Sequence, residues 1–65
     1  MARLRLTPIA RRAQIVEAAH KIAKIHGDVF AVTRKAVAEE ADISEGLVSH
    51  YFSPFSKLIL EVSNG

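Results

Sequence analysis

Helix start and stop signals set close together constrain this chain more than any other feature of it. Thr7-Pro8 opens a helix, with Thr7 as the N-cap and Pro8 at the first helical position, where its missing amide donor costs nothing. Gly27 closes that helix, since glycine enters the left-handed C-cap conformation freely, and Lys24 and His26 lie near the negative end of the dipole. Thr33 caps a second helix, Arg34 to about Ala41, and Asp42 tolerates the left-handed turn that stops it. Ser44 then caps a third helix, Glu45 to about Tyr51 or Phe52, with Glu45 favourably placed at its positive end. Ser53-Pro54 restarts the chain into a last helix. Helices this short are marginal alone in water, so they must pack on one another. The expected fold is all-α, a small helical bundle.

The apolar pattern says which faces meet. In the first helix Ile9, Ala13, Val16, Ala18 or Ala19, Ile22, Ala23 and Ile25 recur at helical spacing and are expected to point inward, with Arg12, Gln14, Glu17, Lys21 and Lys24 mostly between them. The connection Asp28 to Val32 is expected to pack Val29, Phe30 and Val32 under the domain. Val37 and Ala38 face inward on the second helix, and Arg34, Lys35, Glu39 and Glu40 outward. Ile43 is the expected buried anchor of the turn, and Phe55, Leu58, Ile59 and Val62 form the stripe of the last helix, beyond which Ser63, Asn64 and Gly65 fray. Residues 7–62 make the domain, and 1–6 a basic arm: the first twelve residues hold Arg3, Arg5, Arg11 and Arg12 and no acid.

Composition narrows the function classes. With 65 residues there is room for one domain, which buries only about 60% of its unfolded surface. Cysteine is absent, so a disulfide framework or thiolate zinc site is excluded. No apolar run reaches the roughly 18–20 residues of a membrane span, and the arginines at the N-terminus precede no signal-type stretch, so a soluble cytoplasmic protein is expected. His20 and His26 lack carboxylate company, so no metal is expected. No Gly-rich phosphate loop, HExxH or Ser/His/Asp set appears, so neither enzymatic activity nor a cofactor is expected.

Two short helices joined by a turn of three or four residues form a helix-turn-helix, the unit that lays its second helix in the major groove of double-stranded DNA. Ala38 is small enough for a close helix crossing, and Val48 with Phe52, at i and i+4, would pin the third helix to the core. Its outward side then carries Glu45, Gly46, Leu47, Ser49 and His50, after the cap Ser44. Such groups can make donor, acceptor and methyl contacts with base edges. Each also has a plainer reading. Glu45 accepts from a cytosine amino group or serves the helix N-terminus; Gly46 lets a backbone approach or is a weak spot; Leu47 meets a thymine methyl or a protein partner. His50 touches DNA or is mere surface, and Tyr51 offers its hydroxyl to a phosphate while its ring packs inward. Arg34 and Lys35 sit in the first turn of the second helix, where cations oppose the dipole, which favours a phosphate or base role over a solvated face.

From Arg12 to Val62 the chain resembles the N-terminal DNA-binding domain of the tetracycline-repressor (TetR) family. The likeness rests on Ile15-Val16-x-Ala18-Ala19-x-x-Ile22 closing on Gly27, then Thr33, Val37-Ala38, Ala41-Asp42-Ile43-Ser44, Gly46, Val48 and Tyr51-Phe52 in the family's order. It implies that the third helix, Ser44 to Phe52, is the recognition helix of a transcription regulator, with repression its expected role. It also implies that the first helix and the start of the second approach the DNA backbone. Ser49 stands where the family has a phosphate-contacting Tyr, Asp42 where it has Gly, and Ala23 where a Phe is common, leaving a gap for Ile25 or Phe30 to fill. The family's Lys at the start of the fourth helix is missing, with Lys57 its nearest substitute. The family's C-terminal domain, which binds inducers and dimerises, has no counterpart here, so no small-molecule inducer is expected. A bacterial, plasmid or phage origin and a nucleoid location are expected. Because the family's dimerisation domain has no counterpart here and part of the last helix's stripe must cover the core, a monomer or weak homodimer that pairs cooperatively on DNA is expected. An antirepressor-like protein–protein module and a weakly specific packaging protein are the rival readings.

Overall fold

The computed structural model describes residues 7–64 and is all-α. Helix α1 spans Pro8–His26, α2 Arg34–Ala41, α3 Glu45–Tyr51 and α4 Ser56–Asn64, with a single 3₁₀ turn, Val29–Ala31, between α1 and α2. Each early boundary has a local cause. Thr7 Oγ1 accepts from the Ala10 amide at 3.1 Å, Thr33 Oγ1 from Ala36 at 3.1 Å and Ser44 Oγ from Leu47 at 3.1 Å, so α1, α2 and α3 all begin on a hydroxyl cap. Gly27 (φ 67°) and Asp42 (φ 59°, ψ 48°) end α1 and α2 in the left-handed conformation. The basic arm, with Arg3 and Arg5, lies outside the described residues.

Long α1 is the spine of the molecule, which measures 38 × 23 × 20 Å: α2, the 3₁₀ turn and α4 pack on it, and α3 packs on α2. The largest fully buried side chains come from every helix, Ile15 from α1, Val37 from α2, Val48 from α3 and Leu58 from α4, with Phe52 at the C-cap of α3. Among the described residues, two ion pairs brace the outside. Lys21 Nζ lies 3.0 Å from Glu40 Oε2, between α1 and α2. Arg12 Nη2 lies 3.3 Å from Glu61 Oε1 on α4, while its guanidinium carbon stands 4.9 Å from the Phe52 ring centroid.

Several expected packing positions differ. The buried stripe of α1 is Ile15, Ala18, Ala19 and Ile22, an i, i+3, i+4, i+7 series, whereas Ile9 (83%) and Ile25 (66%) are exposed, as is Ala13. The cause is the width of apolar cover on α1: small alanines on several sides leave its phase open until the other helices choose it. Phe30 is 85% exposed, because a 3₁₀ turn stacks positions i and i+3 and so directs Val29 and Val32 toward the core. Neither Ile25 nor Phe30 therefore fills in beside Ala23. Ile43 is half-buried against the core rather than sealed in it. The last helix runs through Ser63 and Asn64, which were expected to fray. Its stripe is spent internally: Leu58 and Val62 are buried, and Phe55 and Ile59 pack against the core.

Candidate nucleic-acid interface

Helix α3 is seven residues long and follows α2 through Asp42, Ile43 and Ser44. The turn is held by backbone bonds: the Asp42 amide donates to the carbonyls of Ala38 and Glu39, and Ile43 N donates to Ala38 O at 2.9 Å. Ser44 stays extended (φ −78°, ψ 154°), which frees its hydroxyl to cap α3. Glu45 occupies the first turn, where its carboxylate favours the positive end of the dipole, and His50 the last.

Burial then divides the helix by side. Val48 is fully buried and Phe52 nearly so, which locks one side to the core. Ser44, Glu45, Gly46 and His50 are exposed; Leu47, Ser49 and Tyr51 are half-buried. Tyr51 packs its ring against the core and meets His50 edge-on, with ring centroids 5.2 Å apart. Leu47 and Ser49 thus lie nearer the flank than the fully outward position expected of them. Leu47 is half-buried without being one of the side chains that pack against the core.

Gly46 is informative for what it does not do. Its φ is not positive, and a Cβ built there would meet only Ser44 Oγ, at 3.9 Å. Neither the backbone nor the packing of this domain requires glycine at that position, although glycine disfavours a helix by up to about 1 kcal/mol relative to alanine.

Arg34 and Lys35 are exposed in the first turn of α2, which has no acidic residue, and neither forms an ion pair among the described residues. They stand roughly 12 Å along the α2 axis from the turn, given 1.5 Å of rise per residue. Lys57 is exposed in the first turn of α4, on a separate element from the others. The residues Ser44 to Tyr51 are therefore brought together on one helix, while the cations stand on other elements. Among the described residues no helix is long and apolar enough to cross a membrane, and no group of three or more His, Asp or Glu could hold a metal ion.

Two residues with structural reach escaped the sequence reading. Arg12 is expected on the polar side of α1 and in the basic N-terminal stretch, yet it also joins Phe52 to Glu61. Gln14 donates from Nε2 to the Ala41 carbonyl at 3.2 Å, across a separation of 27 residues. Its partner Arg11, three positions back along α1, was the only local signal. Compared with protein-family models, with curated proteins and with solved structures, the chain finds no match.

Proposed function

We propose that this chain is a sequence-specific DNA-binding transcription regulator whose α2–turn–α3 unit acts as a helix-turn-helix, with Ser44 to Phe52 reading the major groove. The observation that carries the reading is the division of α3: Val48 and Phe52 anchor it, while Glu45, Gly46 and His50 are left exposed on a rigid support. Base edges are read by this kind of short, polar, firmly held helix. Arg34 and Lys35, exposed and without an acidic partner among the described residues, supply the phosphate contacts that would set its register. The TetR-like order of residues from Arg12 to Val62 supports the same assignment of roles, with repression the expected sign.

One recognition helix covers too few base pairs to single out a site, so two copies would pair cooperatively on adjacent half-sites. With the stripe of α4 spent in the core, the free chain is expected to be monomeric or weakly dimeric.

Selection of bound sequences from random duplex DNA, followed by salt titration, tests the proposal. A defined site with a large specific-to-nonspecific ratio supports it. Salt-dependent binding without that ratio would make the chain a packaging protein, and no binding would turn attention to a protein partner meeting Leu47 and the acids of α2. In the same assay, Arg34→Ala and Lys35→Ala should each weaken binding to all sequences alike and reduce the salt slope by about one. An unchanged slope in both would remove α2 from the interface. Gly46→Ala should leave the fold as stable or raise its melting temperature, yet lower affinity for the selected site; equal affinity would mean that no surface approaches α3 there.

A further inference from the structure

We propose that Gln14 is a positioning residue that aims α3 from a distance, through the peptide group joining α2 to its turn. Its consequence for DNA reading rests on the function proposed above. Gln14 is half-buried on α1, and both ends of its amide are engaged: Oε1 accepts from Arg11 Nη1 at 2.7 Å, and Nε2 donates to Ala41 O at 3.2 Å. Ala41 is the last residue of α2, so its carbonyl is one of those a helix end leaves without an intrahelical partner. The other half of that peptide group, the Asp42 amide, is held by the carbonyls of Ala38 and Glu39. The Ala41–Asp42 peptide plane is thus fixed from both sides, once by α2 itself and once by α1. Asp42 then turns the chain at φ 59°, and the α3 cap follows two residues later. A small rotation of this plane would be carried into the direction of the whole of α3.

The chemistry calls for an amide at position 14. Arg11 presents only donors, so it selects the oxygen of the Gln14 amide, and this turns the nitrogen toward the carbonyl. A carboxylate would satisfy Arg11 but set oxygen against oxygen at Ala41, at the negative end of α2. Methionine keeps the length and bulk of the side chain with neither bond.

The test compares wild type with Gln14→Met, Gln14→Glu and Arg11→Met by two independent readouts. Amide hydrogen exchange on the free protein reports the turn. Affinities for the selected duplex and for random duplex, measured over a range of salt, report the aim of α3. Gln14→Met should speed exchange at Asp42 and Ile43 roughly threefold to tenfold, the worth of one net hydrogen bond, and lower the specific-to-nonspecific ratio by a similar factor. The salt slope and the affinity for random duplex should not move, and Gln14→Glu should do more than Gln14→Met. Arg11→Met, which leaves the Gln14 bond to Ala41 in place and removes its orienting partner together with one cation, should speed exchange at the turn less. Unchanged exchange at the turn in Gln14→Met overturns the proposal. An equal loss on both duplexes would also overturn it, reducing Gln14 to general stability. If wild type reads no DNA sequence, the functional proposal fails alone, and exchange at Asp42 still decides what Gln14 does.

Discussion

Phe52→Ala is expected to abolish the cooperative thermal melt of this domain. Phe52 is 2% exposed and is the largest of the fully buried side chains. It closes α3 as the C-cap residue, its amide donating to Val48 O, and it carries the Arg12 guanidinium on its ring. Truncating a packed phenylalanine costs roughly 3–5 kcal/mol, and a single core in a chain this short supplies about the same amount. The surroundings have little capacity to collapse into the gap, because Ile15, Val37, Val48 and Leu58 are anchored on four different helices. Circular dichroism followed through a temperature ramp should show a gradual, non-cooperative loss of helix. A sigmoidal melt within a few degrees of wild type would place Phe52 outside the core.

The second large effect is a contrast on α1. Ile15→Ala should cost roughly 2–5 kcal/mol, as burial at 0% exposure demands, whereas Ile9→Ala and Ile25→Ala should stay within about 0.5 kcal/mol of wild type. All three are the same substitution on the same helix, so helix propensity cancels and burial alone separates them. Denaturant titration of the three variants measures the difference. Comparable losses at Ile9 and Ile15 would mean that α1 is rotated about its axis from the orientation described.

That contrast also marks how far the residues can be read before the chain is folded. Element boundaries were legible because each depends on neighbours within a few positions: Thr7, Gly27, Thr33, Asp42 and Ser44 act through their own hydroxyl, backbone or turn geometry. The inward pair Val48 and Phe52 was legible for the same reason, since a short helix with few apolar residues offers only one phase. On α1 the apolar residues surround much of the helix, and the choice of Ile15 over Ile9 is made by α2 and α4. Phe30 was misjudged because its direction depends on the 3₁₀ turn, which departs from α-helical spacing. Gln14 and Arg12 act on residues 27 and 49 positions away, and no local pattern announces such contacts. Within the candidate interface, the membership of α3 followed from spacing, while the flank positions of Leu47, Ser49 and Tyr51 needed the packed helix.

The anchoring of α3 has a practical corollary. A helix of seven residues does not persist by itself, so its outer surface exists only while Val48 and Phe52 are seated. Occupancy of that surface and integrity of the whole core are then linked equilibria. Any molecule that binds folded α3, whatever its chemistry, adds about 2.7 kcal/mol to the folded state when present at a hundred times its Kd. In a domain this small each kcal/mol moves the midpoint by roughly 4–8 °C, so saturation would raise the melting temperature by about 10–20 °C. The domain is in effect its own indicator dye: a panel of duplexes, peptides and proteins can be screened by heat alone, with the true ligand announced by the size of the shift.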